Sequence, residues 1–401
     1  MITRFDHGVI AVRDLETALA HYRQTLGLDA RPGGRHTGRG THNGIVRFGL
    51  DYLELLSIYD PAEAAASGLR GQALLRFLER RAGGAVGFCL ATDRAEALAG
   101  RLRERGLEAS GPFGMERLRP DGRLLRWRLV VPGGVAWRRP WPFFIQWDTP
   151  DGERLAWEPP GTHALGVEGV VGVAVLVESL EAGKDLYINT LGFAAAGSKE
   201  VVADLGARRL RVTYGPLRVD LLAPAGPGPL KAEMTEVGPG PFAFHLKVSD
   251  PDRARRFLAD RGVPTAEPSW ADGGLLIDPD KALGARLVLV EGPGDSRAPE
   301  SGRLDRGGPL PYTGSRRQRP SGATVAQPTC NRKVGGFESP LGLPTEGGRG
   351  CPLWECLLYW VTAGGVAERP NAPDCKSGAR RGFVGSNPTP STGGRAHIAQ
   401  R

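Results

Sequence analysis

Two stretches of the chain decide its fold, FDHGVIAVRDLETALAHYRQTLGL at Phe5–Leu28 and GIVRFGLDYLELLSIYD at Gly44–Asp60. The first begins with an apolar run that predicts a β-strand. Apolar residues then recur at helical spacing and predict an amphipathic helix that ends at Gly27. The second stretch predicts two more strands, at 45–50 and 52–58. One strand, one helix and further strands therefore follow each other within about 60 residues.

Two ionisable side chains lie inside these apolar runs, His7 in the first strand and Glu54 in YLELL. Burying a carboxylate without a partner is costly, so Glu54 is expected to have one. We hypothesise that the fold brings His7 and Glu54 face to face. Two interpretations stay open at this point, a metal or catalytic site and a hydrogen-bonded structural pair in a metal-free pocket.

The strand–helix–strands pattern recurs in three further copies, which begin near Gly87, Gly169 and Phe242. One β-α-β-β-β module leaves the apolar face of its sheet open, so modules are expected to pair. The predicted fold class is α+β, with four βαβββ modules that pair into two domains with cupped mixed sheets. The first domain covers 1–160, with modules 1–60 and 83–157, and the second covers 166–293. An extra amphipathic helix is predicted at 69–81.

Composition narrows the class of protein. The 40% apolar share suits an ordinary globular core, and no run of about 18 apolar residues predicts a membrane span. The N-terminus starts on a strand without a signal pattern, so a cytoplasmic location is expected. Residues 296–401 hold 15 basic and 7 acidic side chains and carry the whole net charge of +8. The charge of the folded part therefore gives no reason to expect nucleic-acid binding.

The segment 294–401 is rich in glycine, proline, serine and arginine, and this composition predicts disorder. Within it, residues 364–392 read like the conceptual translation of a transfer-RNA gene. We interpret the tail as a spurious translation, and a genuine basic nucleic-acid-binding tail is the alternative.

The modules, His7 and Glu54 together resemble the vicinal oxygen chelate superfamily, which includes glyoxalases, bleomycin resistance proteins and extradiol dioxygenases. The stretches Gly33–Leu56 and Pro142–Trp147 (PFFIQW) resemble its glyoxalase-like branch. This resemblance implies a cupped sheet around a site, with ligands on the first and last strand of each module.

The implied metal ligands are His7, Glu54 and Gln146, because the position that matches His7 in the second module is Val86. Such a mixed nitrogen and oxygen set suits Zn²⁺, Mn²⁺, Fe²⁺ or Ni²⁺. Glu54 is also the candidate catalytic residue, since its carboxylate could move a proton beside a developing charge.

Six residues are candidates for substrate binding. His36 and Asn43 belong to the glycine-rich segment 33–43, which is predicted to be a loop over the pocket. Arg126 and Arg128 share a strand face and could grip a carboxylate, and Phe144 and Trp147 could form an apolar wall. The alternatives are a solvated loop, surface arginines and core aromatics.

The second domain is interpreted as a degenerate copy that supports the fold or dimerisation. Gly172 takes the position of His7, and Asp220 lies near that of Glu54. His245 is displaced from the ligand position and is expected to be a satisfied core or surface group.

Two functions follow from the resemblance. The first is an enzyme, a metal-assisted lyase, isomerase or ring-cleaving dioxygenase that acts on a small oxygen-bearing compound. The second is a non-catalytic protein that sequesters a drug or metabolite. The sequence leaves open which applies. The expected partner is a small molecule, with a homodimer as a further option.

Overall fold

The computed structural model describes residues 1–119, 121–135 and 137–291. The predicted tail 294–401, including the transfer-RNA-like segment 364–392, lies outside the described residues. The described residues form two curled sheets with helices.

The first sheet has eight strands in the order β2-β3-β4-β1-β5-β8-β7-β6. Its strands are β1 (Ile2–Val12), β2 (Ala30–His36), β3 (Thr41–Arg47), β4 (Tyr52–Ile58), β5 (Gly83–Thr92), β6 (Ala109–Leu118), β7 (Leu124–Pro132) and β8 (Phe143–Trp147). The helices in this part of the chain are α1 (Leu15–Gln24), α2 (Pro61–Ala66), α3 (Leu69–Arg80), α4 (Ala95–Glu104) and α5 (Asp151–Trp157).

The second sheet has the path β10-β12-β13-β9-β14-β17-β16-β15, and β11 pairs with β12 beside it. Its strands are β9 (Val167–Leu176), β10 (Ala194–Ala195), β11 (Glu200–Val202), β12 (Ala207–Tyr214), β13 (Leu217–Pro224), β14 (Gly240–Val248), β15 (Thr265–Ala266), β16 (Leu275–Ile277) and β17 (Leu287–Glu291). Its helices are α6 (Leu180–Lys184), α7 (Pro229–Val237) and α8 (Pro251–Ala259), and a π-helical turn at Asp185–Thr190 continues α6.

The two sheets repeat one topology, which confirms the predicted α+β class with paired modules. In each module the first strand pairs in parallel with the last, as β1 does with β4 and β5 does with β8. The first strands of two modules pair antiparallel in the middle of each sheet, β1 with β5 and β9 with β14. The middle row of each sheet is therefore built by four strands from two modules. The domain limits 1–160 and 166–293 stay predictions.

Local sequence explains the helix between β1 and β2. The Asp14 carboxylate accepts a hydrogen bond from the Thr17 backbone N–H at 2.7 Å and caps the first turn of α1. Past the end of α1, Gly27 adopts a φ of 65°, which favours glycine. The predicted stop signal therefore acts as expected.

The prediction of a loop at 33–43 was wrong, because β2 and β3 include most residues of this segment. The two strands form a hairpin whose register shifts between Pro32 and Arg35. Gly33 is needed inside the strand pair, since a Cβ there would collide with the side chain of Asn43.

One hydrophobic core joins the helix-bearing faces of the two sheets. Phe5 of β1 and Phe244 of β14 meet edge to face there, with their ring centroids 6.3 Å apart. The opposite face of each sheet has its own smaller apolar cluster. We call these opposite faces the first open face and the second open face. No helix within the described ranges has the length and apolarity needed to cross a membrane.

Gly8 permits the close approach of the two sheets. A Cβ on this residue would lie 2.6 Å from the Phe244 ring. Gly8→Ala should therefore lower the free energy of unfolding by about 1–3 kcal/mol, the usual cost of overpacking a core. Urea unfolding followed by circular dichroism measures this change.

Gly100 in α4 supplies the matched control, because a Cβ there would meet nothing within 4 Å. Gly100→Ala should raise the stability by up to about 1 kcal/mol through helix propensity. Equal effects of the two substitutions would contradict the proposed packing constraint.

Candidate functional site

A β-bulge in β1 places Asp6 and His7 side by side. Where β1 pairs with β5, Phe5 lies opposite Leu90 and His7 opposite Cys89, so Asp6 is the extra residue. Both Asp6 and His7 are buried, and Oδ1 of Asp6 lies 2.8 Å from Nδ1 of His7. A regular strand would have pointed these neighbours to opposite faces.

Asp6 is a fully buried carboxylate with donors on both oxygens. Nε1–H of Trp147 donates to Oδ2 at 2.9 Å, and the Arg4 guanidinium lies 3.6 Å from the same oxygen. Burial by itself would raise the pKa of Asp6, but the hydrogen bond from His7 and the charges of His7, Arg154 and Arg4 outweigh it and lower the pKa. Asp6 is therefore ionised, and Nδ1–H of His7 donates to it.

Arg154 of α5 adds a positive charge that stabilises this carboxylate. Its side chain is 1% exposed, and its guanidinium carbon lies 3.5 Å from the centre of the Trp147 ring. Burial lowers the pKa of Arg154, and the charge of Asp6 opposes that shift. The sequence reasoning missed both Asp6 and Arg154. The adjacent Asp-His pair was the available signal for Asp6, whereas nothing local indicated Arg154.

Glu54 of β4 lies between two histidines. Its Oε2 is 3.9 Å from Nε2 of His7, and its Oε1 is 3.9 Å from Nε2 of His36. The side-chain Nδ2–H of Asn43 donates to Oε1 at 2.7 Å, and the side-chain Oδ1 of Asn43 accepts the backbone N–H of Gly34 at 2.9 Å. Oε1 is thus held by the β2–β3 hairpin, and Oε2 faces the imidazole of His7.

We call Asp6, His7, His36, Asn43 and Glu54 the polar cluster. Burial lowers the pKa of His36, and the charge of Glu54 opposes that shift. His36 is therefore mainly neutral near pH 7. Its Nδ1 lies 2.9 Å from the Thr41 hydroxyl.

Aromatic rings surround His7. Its imidazole stacks on Tyr52 at 4.6 Å between ring centroids and meets the edge of Phe143 at 5.3 Å. Trp147 packs against Trp127 at 5.3 Å next to these rings. Helix α3 covers the apolar remainder of the first open face. His36 is the more accessible end of the polar cluster, since its side chain is 33% exposed and that of Glu54 only 12%.

The structure therefore brings His7, Glu54, His36, Asn43 and Trp147 together. It does not bring Gln146, Phe144, Arg126 or Arg128 to them. Phe144 packs in the shared core on the helix-bearing face. The aromatic ring beside His7 is that of the preceding residue, Phe143.

Gln146 shares the helix-bearing face with Phe144. Its amide oxygen accepts the backbone N–H of Ala95 at 2.7 Å, at the start of α4, where Arg94 provides no side-chain cap. Arg126 and Arg128 form surface ion pairs, with Glu116 at 3.5 Å and Asp148 at 2.6 Å. Alternation along a strand predicts which residues share a face of the sheet. Only the folded sheet decides which of the two faces carries the site.

A group of three metal-ligand types is present on the same face. Asp6, His7 and Cys89 offer ligand atoms within 4.8 Å of one another. Both oxygens of Asp6 already accept hydrogen bonds, and burial keeps the pKa of the Cys89 thiol well above its ordinary value. Val86 is buried in the apolar cluster of this face. His7 Nε2 and Glu54 Oε2 are therefore better suited to hold an ion than this group of three.

A comparison with known protein families identifies what this part of the chain is similar to. The family described as "Glyoxalase-like domain" matches residues 5–181. These residues form a glyoxalase-like domain of the vicinal oxygen chelate type. The predicted superfamily is confirmed. No curated protein matches the chain in sequence.

Solved structures share the fold of this chain. A hypothetical protein from Staphylococcus aureus is 16% identical, with a TM-score of 0.51, and the match covers 73% of this chain and 100% of that one. A triple mutant of 4-hydroxymandelate synthase from Streptomyces coelicolor is also 16% identical with a TM-score of 0.51, over 73% of this chain and 93% of that one. At these identities the likeness concerns the fold alone.

The buried charge of Asp6 should make stability depend on pH. Because the folded-state pKa lies below the unfolded value, ionisation of Asp6 stabilises the fold above about pH 4. That contribution is lost as the pH falls through the folded-state pKa. Asp6→Asn leaves one acceptor oxygen for the two donors, His7 and Trp147. It should lower the free energy of unfolding at pH 7 by about 1.5–3 kcal/mol.

The measurement is the urea midpoint of the wild type and of Asp6→Asn between pH 7 and pH 3. The wild type should lose more stability over this range than the variant. Asp280→Asn is the control, because Asp280 is exposed. An acid dependence that is equal in all three proteins would contradict the assigned role of Asp6.

Proposed function

We propose that residues 1–160 bind a small oxygen-bearing metabolite at the polar cluster, and that Glu54 and His7 take part in its chemistry. The observation that carries this proposal is the Glu54 carboxylate, which has one oxygen held by Asn43 and the other facing the free nitrogen of His7. A carboxylate whose only role was structural would be expected to have both oxygens saturated.

The residues suggest how a proton could be held or moved. Asp6 accepts Nδ1–H of His7, so Nε2 is the ring nitrogen that faces Glu54. Glu54 Oε2 can accept a proton from a carbon next to a carbonyl, as a general base would. Trp147, Phe143 and Tyr52 exclude water from one side of this pair.

Positive charge near the cluster favours a ligand that carries oxygen with negative or partial negative charge. Arg39 lies in the β2–β3 turn and Arg70 in the first turn of α3, and both are half-buried. Burial, with a smaller contribution from the charge of Arg39, lowers the pKa of Arg70 to about 10. Burial also lowers the pKa of Arg39, and the charge of Glu54 opposes that shift. Both side chains remain cationic near pH 7 and could orient an anionic or carbonyl group.

His7 and Glu54 also fit a divalent ion as two strong donors. Two ligands of one ion with bonds of about 2.0–2.2 Å can be no more than about 4.4 Å apart, and the measured separation is 3.9 Å. The hydrogen bond from Nδ1 of His7 to a carboxylate is typical of metal-bound histidine. A bound Zn²⁺, Mn²⁺, Fe²⁺ or Ni²⁺ would act as a Lewis acid on the substrate oxygen. The reaction class would then be that of a lyase, an isomerase or a dioxygenase.

A second candidate function is sequestration of a metabolite or drug without chemistry. The observation that favours it is the ligand count, since Val86 is apolar and Gln146 faces the other side of the sheet. Two strong donors hold an ion more weakly than three or four. The aromatic wall around His7 would serve an apolar ligand equally well.

Metal titration separates these candidates. The full chain is freed of metal with a chelator and titrated with Mn²⁺, Ni²⁺ or Zn²⁺, while thermal unfolding and elemental content are measured. If the proposal of a metal site holds, one equivalent should raise the Tm, and His7→Ala and Glu54→Gln should lose most of this rise because each removes one of two strong donors.

His42→Ala is the matched control. His42 lies on β3 and packs against Tyr59 at 5.6 Å. The control should keep the metal response of the wild type. A wild type without a metal response favours sequestration, and a response that survives both His7→Ala and Glu54→Gln would place the ion elsewhere and contradict the proposed site.

A further inference from the structure

The second open face repeats the register of the first with different side chains. Gly172 of β9 pairs with Arg218 of β13 and His245 of β14. His7 pairs in the same way with Tyr52 and Cys89. The position that carries an imidazole in the first sheet therefore has no side chain in the second, and polar groups flank it on both sides.

His245 is fully buried and unsatisfied. It is 0% exposed, and neither ring nitrogen has a hydrogen-bond partner among the described residues. Its Nδ1 lies 3.1 Å from the place where a Cβ on Gly172 would be. Burial and the nearby positive charges of Arg218, Arg211 and Arg209 hold the pKa of His245 far below its ordinary value. The expectation of a satisfied histidine was wrong, and the neutral ring still has one N–H to donate.

Arg218 has a free binding edge. Its Nε and Nη2 are both buried and lack a hydrogen bond within the part of the chain that the structure describes. These two atoms form the edge of the guanidinium that binds a carboxylate with two parallel hydrogen bonds. A buried donor without a partner costs free energy, so an unused edge of this kind calls for a physical explanation.

Asp220 does not satisfy this edge. Its Oδ2 is 3.4 Å from Nε of Arg218 without forming a hydrogen bond. Its oxygens instead accept from Nε and Nη2 of Arg211, at 2.7 and 3.1 Å. Asp272 also binds Arg211, and it binds Arg209 at 2.6 Å in the outer layer of the cluster. Glu200 pairs with Arg209 as well, so the three arginines face three carboxylates, and the cluster around neutral His245 is balanced in charge.

The cluster around His245 is bordered by a buried aromatic side chain on one side and by a partly exposed arginine on the other. Trp270 is 2% exposed, and its ring lies 6.3 Å from that of His245. The Arg218 side chain is 21% exposed, so the cluster reaches the surface through this residue, although its Nε and Nη2 atoms are themselves buried. Because the cluster is already balanced, a ligand with a single negative charge is repelled less by the carboxylate of Asp220 than a doubly charged phosphate would be.

We propose that the second open face is a binding site for a small monocarboxylate, held by Nε and Nη2 of Arg218 and by the N–H of His245. The site is separate from the polar cluster and independent of the function proposed for it. The second sheet then has a binding role of its own beside its structural one.

Acetate is the probe for this site. The Tm of the full chain is measured in sodium acetate and in sodium chloride of equal ionic strength, and the affinity is obtained by calorimetric titration. Acetate should raise the Tm of the wild type. Arg218→Lys should weaken acetate binding at least about tenfold, because lysine cannot form the paired hydrogen bonds.

Arg208→Lys is the matched control, since Arg208 lies on β12 and is exposed. It should respond to acetate like the wild type. The proposal is overturned if acetate has no effect on the wild type, or if Arg218→Lys and Arg208→Lys respond alike.

His245→Phe gives a second readout. If the cluster binds no carboxylate, this substitution removes two unsatisfied nitrogens, raises the Tm in chloride and leaves any acetate response unchanged, and that result would also overturn the proposal. If the site is real, the acetate response of His245→Phe is reduced. Should this variant fail to fold, the two arginine variants decide. Glu54→Gln should keep the acetate response that depends on Arg218, so the two proposals can fail separately.

Discussion

Burial of one negative charge organises the first sheet. Asp6 is removed from water, so each of its oxygens needs a donor and its charge needs a cation nearby. The donors come from β1 and from Trp147 of β8, and the cations from β1 and α5. One carboxylate thus joins elements of both modules. The same arrangement fixes the tautomer of His7 and thereby the nitrogen that faces Glu54.

The two open faces use equivalent register positions in different ways. The first has an imidazole in the middle of its row, held by its hydrogen bond to Asp6 of the same strand, and a carboxylate next to it, held by Asn43 of the neighbouring strand. In the second, Gly172 places no side chain in the middle, and the neighbouring Arg218 and His245 pack close to it and bring donors that stay unused among the described residues. Duplication preserved the backbone, because strand pairing depends on main-chain hydrogen bonds, while the side chains on that row diverged.

Part of the site was predictable from the sequence. His7 and Glu54 stood out because a charged or polar group inside an apolar strand needs a partner, and the structure places them 3.9 Å apart. The roles assigned to Gln146, Arg126 and Arg128 had less support, since alternation along a strand groups residues by face without stating which face is the inner one. Asp6 escaped notice because a bulge breaks that alternation.

The sequence by itself determined the four modules, the order of their strands and helices, and the pairing of modules into curled sheets. These features follow from local periodicity, turn signals and the need to cover an apolar face, all of which act over a few tens of residues. Only the tertiary structure decided which face of β8 meets His7, that Arg154 supports Asp6, and that Arg218 and His245 flank Gly172. Those contacts join residues distant in the chain, and their geometry depends on bulges and sheet curvature that no local pattern encodes.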